Sequence, residues 1–193
     1  MRDFRLLLMA LLVLGFSPLA SAVVLDFETG SIDSNGLYTE DGFDLQTLNF
    51  TGNNAALQSP TNPGNGTRIF AFCAIAGTCT PGTELSLTDG STFALNALDA
   101  ANWTFEGQNG LLDVIGHVSG GGTVSQQLVI TDVWQTFTLT GFNNLVSVQM
   151  YTSAVYAGAI DNLVLNSSVP EPLPLALLAL GLMLTAVRRR FSA

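Results

Sequence analysis

The chain has 193 residues, with 15 acidic and 6 basic side chains and a formal net charge of −9 at pH 7. It contains no lysine, and between residues 23 and 168 there are thirteen acids and one basic residue, Arg68, which gives this segment a formal charge of −12. A surface of this charge repels nucleic acid and anionic lipid and offers no basic clamp for phosphate, so nucleic-acid binding is excluded.

The N-terminus predicts a secretory signal peptide over residues 1–22. Arg2 and Arg5 form a basic region, Leu6–Leu14 an apolar region, and Ala20-Ser21-Ala22 a small-x-small cleavage site. The Sec translocon and signal peptidase are the partners that such a signal requires. Removal of this signal and of the C-terminal segment described below leaves residues 23–168 as one domain, which is long enough to bury a core.

Residues 23–168 consist of short β-rich runs separated by clusters of Gly, Asn, Asp, Ser and Pro. About eleven such runs, at a spacing of roughly 8–12 residues, predict an all-β fold and a single jelly-roll-like β-sandwich. Asp89-Gly90 predicts a hairpin between two of the runs, and Gly52–Thr67 reads as a polar loop. Ala94–Ala101 is the one helix-like patch, interpreted as a short turn after a strand.

Cys73 and Cys79 are the only cysteines and are separated by five residues. In an exported protein an even number of cysteines predicts a disulfide. A metal pair is the alternative, although zinc takes about four ligands and the chain has one histidine.

Four aromatic residues are candidates for stacking on sugar rings: Trp103, Trp134, Tyr151 and Tyr156. Trp134 is taken as the ligand-binding candidate because Asp132 and Gln135 lie beside it. The alternative is packing, which is the commoner role of Trp and Tyr in strands.

The sequence favours a protein that is not an enzyme. His117 has Asp113 and Ser119 nearby in sequence, but a catalytic triad is defined by convergence in space, and no nucleophile-elbow or metalloprotease motif is present. Glycosidases use a pair of carboxylates, for which Glu84, Glu106 and Asp113 are candidates. With thirteen acids in the domain, some pair of this kind is always available.

The C-terminus has three parts in fixed order. Val169-Pro170-Glu171-Pro172 comes first, an apolar run from Leu173 to Val187 follows, and Arg188-Arg189-Arg190 comes almost at the end. At about 1.5 Å per residue the run spans roughly 23 Å, which is short of the ~30 Å hydrocarbon core. The arginines place the C-terminus on the cytoplasmic side. A sorting signal that is cut and replaced explains this segment better than a permanent anchor does.

This tail resembles the PEP-CTERM sorting domain, which is processed by the exosortase of Gram-negative bacteria that make extracellular polysaccharide. The resemblance implies that residues 169–193 are a sorting motif, a transmembrane helix and an arginine retention signal, with cleavage near Pro170-Glu171-Pro172. It also implies exosortase as a partner. The expected location is the inner membrane before processing, and the envelope, cell surface or extracellular matrix after it.

The domain resembles the β-sandwiches that commonly precede such tails, and also jelly-roll carbohydrate-binding modules, whose first and last strands lie together. The segments that carry this likeness are LDFE at 25–28, NGT at 65–67, FALNALD at 93–99 and AIDNLVL at 159–165. Such modules often hold a structural calcium between an early glutamate and a last-strand aspartate, and Glu28 and Asp161 match these positions. Asp26 and Asn162 complete the predicted set of oxygen ligands. The alternative is that all four are solvated strand-end residues.

Together these features predict an exported, exosortase-sorted envelope or matrix protein. Its domain is expected to be a non-catalytic structural, adhesive or glycan-binding module linked to exopolysaccharide or biofilm. The alternatives are a secreted glycan-processing enzyme and a permanently membrane-anchored surface protein.

Overall fold

A computed structural model describes residues 22–48, 55–58, 65–72, 82–102, 109–152 and 158–167. The signal peptide up to residue 21, the sorting tail over 169–193, and both cysteines therefore lie outside the described residues, as do Trp103 and Tyr156. Ser21–Ser168 forms one compact unit, which contains all the strands below. The part of the chain described here contains no helix that is long and apolar enough to cross a membrane.

The described residues form strands and turns without a helix, as the alternating sequence pattern predicts. The twelve strands are β1 (Ala22–Leu25), β2 (Leu37–Glu40), β3 (Phe43–Thr47), β4 (Ala55–Gln58), β5 (Ile69–Phe72), β6 (Gly82–Leu87), β7 (Phe93–Asn102), β8 (Gly110–Val118), β9 (Thr123–Ile130), β10 (Gln135–Thr138), β11 (Leu145–Thr152) and β12 (Gly158–Ser167).

The strands are arranged in two groups. The first has the order β9-β8-β11-β6-β3-β2, and the second has the order β10-β7-β12-β5-β4, with β1 also pairing with β12. The two groups are joined in register through the single pair Leu145↔Phe93. Inward-facing side chains of both groups share one large core, which includes Phe43, Leu85, Val148 and Leu163. The predicted all-β sandwich is confirmed at this level.

β1 and β5 lie end to end along the same edge of β12. β1 pairs with Leu163–Asn166, and β5 pairs with Gly158–Ile160. The first and last strands of the domain are therefore neighbours. Asp161 and Asn162 lie opposite the gap at which the chain leaves β1 and later enters β5.

The structure corrects three local predictions. Asp89-Gly90 is a turn but not a hairpin, because β6 pairs with β3 and β11 whereas β7 pairs with β12 and β10, so the turn carries the chain between the two groups. Ala94–Ala101 is extended and belongs to β7, where it pairs with β12 on one side and β10 on the other. The polar loop predicted over Gly52–Thr67 contains β4, which pairs with β5.

Candidate functional site

The outward face of the first group of strands carries many polar side chains, together with the exposed Leu111 and Val129. Side chains alternate along a strand. Because Leu85, Val148 and Val114 point into the core, the residues before and after each of them point outward. We call this surface the polar face. Its cross-strand rows run Ser125–Ile115–Gln149–Glu84–Gln46, Gln127–Asp113–Tyr151–Gly82, and Thr123–His117–Ser147.

Tyr151 packs against the sheet near the C-terminal end of β11, on this face. Its cross-strand partner is Gly82, and a Cβ atom built on Gly82 would lie 2.8 Å from Cδ1 and 2.9 Å from Cε1 of the ring. Only glycine leaves room for the ring to approach the backbone so closely. Gly82 therefore lets one edge of the ring approach the sheet closely, while Tyr151 as a whole stays half-buried.

Hydrogen bonds fix the polar side chains around this ring. The Tyr151 hydroxyl donates to Oε1 of Gln149 at 2.9 Å, and Nε2 of Gln149 donates to Oε2 of Glu84 at 3.4 Å. On the other side of the ring, Nε2 of Gln127 donates to Oδ1 of Asp113 at 2.7 Å. An aromatic ring is thus flanked by amides and carboxylates that are hydrogen-bonded to one another.

The charge of the polar face restricts what it can bind. Asp44, Glu84 and Asp113 all belong to it, and Arg68, the one basic residue between positions 23 and 168, precedes β5 in the other group of strands. The face therefore repels anionic ligands and provides hydrogen-bond acceptors for hydroxyl groups.

His117 also points to this face but assembles no triad with its sequence neighbours. Asp113 precedes it by four residues on the same strand, about 13 Å away at the usual rise of a strand, and bonds to Gln127 instead. Ser119 lies in the turn after β8, where its backbone N–H donates to the carbonyl of Asn144. Nε2 of His117 is buried and has no hydrogen-bond partner.

Glu84 and Asp113 share the polar face but are separated by two strand spacings and by two residues along the strands. This places their Cα atoms about 12 Å apart. Glycosidases place their paired carboxyl groups roughly 5–9.5 Å apart, and each of these two carboxyl groups already accepts a hydrogen bond from a glutamine. Glu106, the third acid considered for such a pair, lies outside the described residues.

The predicted calcium ligands lie at the gap between β1 and β5. Oδ1 of Asp26 accepts the backbone N–H of Glu28 at 3.1 Å, which closes a local turn. Glu28 is exposed, and its Oε1 accepts the backbone N–H of Arg68 at 2.7 Å. The segment 65–68 therefore contacts the early glutamate directly.

The same segment contacts Asp161, which is completely buried. Its Oδ2 accepts Nδ2 of Asn65 at 2.5 Å and the hydroxyl of Thr67 at 2.9 Å, and its Oδ1 accepts the backbone N–H of Asn162 at 2.8 Å. Burial raises the pKa of Asp161 above its usual value, and the nearby Asp99 carboxylate adds to this, while the three hydrogen bonds oppose it.

Asn162 has a φ of 47° at an irregularity of the β12–β7 pairing, and its Nδ2 donates to Oδ2 of Asp99 at 2.9 Å. The structure therefore brings Glu28 and Asp161 to one short segment and directs the Asn162 side chain to Asp99. Within the described ranges, no group of three or more His, Cys, Asp or Glu side chains is placed to hold a metal. The calcium site stays a prediction.

Trp134, the aromatic residue singled out from the sequence, lies away from the polar face. It is half-buried between β9 and β10 and packs against a small cluster of Ile69, Ala71 and Ala159. The sequence named Tyr151 only as one of four aromatics, and the signal that distinguishes it is its pairing with a glycine 69 residues earlier. That pairing is not visible in a local pattern.

Comparisons with known proteins place the fold. No family model matches the chain, and no curated protein matches it. A segment of an exo-beta-agarase aligns with a TM-score of 0.50 at 11% identity, over 78% of this chain and 26% of the agarase. A carbohydrate binding module of family 29 gives 0.46 at 12% identity, over 80% of this chain and 97% of the module. The CBM22 tandem domain of Paenibacillus barcinonensis Xyn10C gives 0.48 at 17% identity, over 82% of this chain and 50% of the tandem. At 11% identity the agarase segment shows a likeness of fold alone.

Proposed function

We propose that this is an exported surface or matrix protein whose β-sandwich domain binds an uncharged glycan on the polar face, without catalysing a reaction. The observation that carries the proposal is the Tyr151 ring held on Gly82 and flanked by Gln149, Glu84 and Asp113. Sugar rings present apolar faces to aromatic residues and hydroxyl groups to amides and carboxylates. The acidic surface favours a neutral polymer over a uronic-acid or sulfated one.

Hydrolysis is the second candidate, because Glu84 and Asp113 are carboxylates on the same face. The two residues are separated by two strand spacings, and their carboxylates accept hydrogen bonds from Gln149 and Gln127. Both features favour a binding role. A reducing-sugar assay on each polymer that binds would separate the two functions. Turnover that is lost in both E84Q and D113N, with unchanged melting, would make the domain an enzyme.

The test of binding is a titration of the full chain, kept soluble in a polyoxyethylene detergent that carries no sugar. The panel consists of soluble neutral glucans, xylans and mannans, with one uronic-acid polymer as the anionic control. We expect Y151A to weaken binding of a neutral polymer by about tenfold or more, because stacking on an aromatic ring and its buried area contribute on the order of 1–3 kcal/mol. Y151F, which keeps the ring, should retain most of the affinity.

V133A is the matched surface control, since Val133 is exposed and lies outside the polar face. It should bind like the unaltered protein. Binding that survives Y151A, or the absence of binding to every polymer, would contradict the proposal.

For location, we propose that residues 1–22 and 169–193 direct export and exosortase sorting to the envelope or extracellular matrix. The support is the order of motif, apolar run and arginines in the sequence. Deletion of residues 169–193 is expected to change where the protein accumulates without changing its melting temperature. An intact mass of the mature protein that includes the apolar run would instead favour a permanent membrane anchor.

A further inference from the structure

We propose that Arg68 serves as the cation at the junction between β1 and β5, and that this domain therefore fixes its first strand without a structural calcium ion. The proposal concerns the opposite group of strands from the polar face and does not depend on glycan binding. It rests on where the one basic residue between positions 23 and 168 is placed.

Arg68 makes three hydrogen bonds to the segment that follows β1. Its backbone N–H donates to Oε1 of Glu28 at 2.7 Å. One guanidinium nitrogen donates to the carbonyl of Glu28 at 3.0 Å, and the other donates to the carbonyl of Gly30 at 3.2 Å. Both ends of the same residue thus hold residues 28–30 against the entry to β5.

These contacts use five of the oxygen atoms that a calcium ion at this junction could take. Calcium takes about 6–8 oxygen ligands that converge on one point. Here the carbonyls of Glu28 and Gly30 face the guanidinium, and the Glu28 carboxylate accepts an N–H. The Asp161 oxygens face hydrogen donors on Asn65, Thr67 and Asn162. The described residues therefore fit a junction closed by an arginine and by neutral donors, and they do not fit a calcium shell.

The guanidinium is suited to this position because it is planar and permanently charged, and because two of its nitrogens can reach two carbonyls at once. A lysine ammonium group is a point charge and lacks the planar pair of nitrogens with which the guanidinium reaches two carbonyls. An arginine that is part of the chain also cannot dissociate when the calcium concentration outside the cell falls. The position of β1 on β12 should accordingly be independent of calcium.

The experiment follows thermal melting of the full chain with millimolar calcium and with a chelator, together with amide hydrogen exchange of β1. The unaltered protein should melt at the same temperature in both buffers, within about 1 °C. R68Q should melt roughly 3–8 °C lower, since hydrogen bonds at 28–30 are lost, and the β1 amides should exchange faster. R68K should lie between the two, and it replaces R68Q if the latter does not fold.

E28Q is the matched control, because its side-chain carbonyl still accepts the Arg68 N–H, while the carboxylate that would ligate calcium is removed. It should melt like the unaltered protein in both buffers. Calcium that stabilises R68Q alone would also support the proposal, because that variant frees the two carbonyls. A calcium-dependent rise of several degrees in the unaltered protein that E28Q or D161N abolishes would overturn it. The proposal would also be overturned if R68Q had the same melting temperature and the same β1 amide exchange as the unaltered protein.

Discussion

Tyr151 and Gly82 are cross-strand partners on β11 and β6, and the tyrosine ring occupies the space where a side chain at position 82 would lie. The absence of a side chain at position 82 thus lets the ring approach the backbone of β6. This relationship links a backbone position in one strand to a half-buried aromatic side chain of another, and it is open to a direct test.

We expect Gly82→Ala to destabilise the domain by about 1–3 kcal/mol, because the new methyl group would come within 2.8–2.9 Å of two ring atoms and displace the ring. Urea unfolding measures the loss. In a Y151A background the same substitution should cost much less, because the ring that clashes is gone. A Gly82→Ala effect of equal size in both backgrounds would place its cause in the backbone or in Leu48, whose Cδ1 lies 3.3 Å from the added atom.

Glu40 is a buried carboxylate that stabilises an unusual backbone conformation. Its Oε2 accepts the N–H of Phe27 at 3.1 Å, and its Oε1 accepts the hydroxyl of Thr29 at 2.7 Å. Phe27 has a φ of 57°, in the region that favours glycine, and its side chain is fully buried in the core. Glu40→Ala leaves the Phe27 N–H without this acceptor, so we expect a loss of about 1–3 kcal/mol.

Glu40→Gln is the informative partner of that variant. Its carbonyl oxygen can accept from Phe27 while its NH₂ group donates to Thr29, so it should lose less than about 1 kcal/mol. If Glu40→Gln is as damaging as Glu40→Ala in urea unfolding, the charge of Glu40 matters and the hydrogen bonds do not.

The sequence predicts much of the fold because strand alternation is a local property. Runs such as Leu145–Thr152 and Thr123–Thr131 coincide with strands to within a residue. β2 and β4 were missed because each is only four residues long and lies next to polar turns. The hairpin predicted at Asp89-Gly90 was wrong for another reason. An Asp-Gly turn has the same sequence whether the two strands that it joins pair with each other or with other strands.

The candidate sites depend on distant pairs, which local patterns do not reveal. Asn65 and Asp161 are 96 residues apart, and Arg68 and Glu28 are 40 apart. The resemblance placed Glu28 and Asp161 near each other at neighbouring terminal strands, and β1 does pair with β12. Nothing in the sequence indicates that an arginine and an asparagine-threonine pair lie beside these two acids.

Trp134 provides a test of its role as packing or ligand residue. Because it covers Ile69, Ala71 and Ala159, we expect Trp134→Ala to destabilise the domain by about 2–4 kcal/mol, at the low end for a half-buried ring. Glycan affinity, measured below the melting temperature of the variant, should change by less than a factor of two. Loss of affinity with unchanged stability would instead support the binding role that the sequence suggested.

The raised pKa of Asp161 predicts how the stability of the domain depends on pH. Burial is the main cause that raises its pKa in the folded state above 3.8, so the protonated form is favoured by folding. The stability that this group contributes is complete below the unfolded pKa and is lost as pH rises through the folded pKa. Acidification from pH 7 towards pH 4 should therefore stabilise the unaltered protein relative to D161N, which carries no charge at this position.

The measurement is the difference in melting temperature between the two proteins across that pH range, without calcium. Asn65 and Thr67 can reorient towards the new amide, so D161N should be within about 1–2 kcal/mol of the unaltered protein at pH 7, whereas D161A leaves three donors without their acceptor and should lose about 2–4 kcal/mol. A difference that moves in favour of D161N on acidification would mean that a cation or another charge, absent from the contacts described here, holds the Asp161 carboxylate ionised.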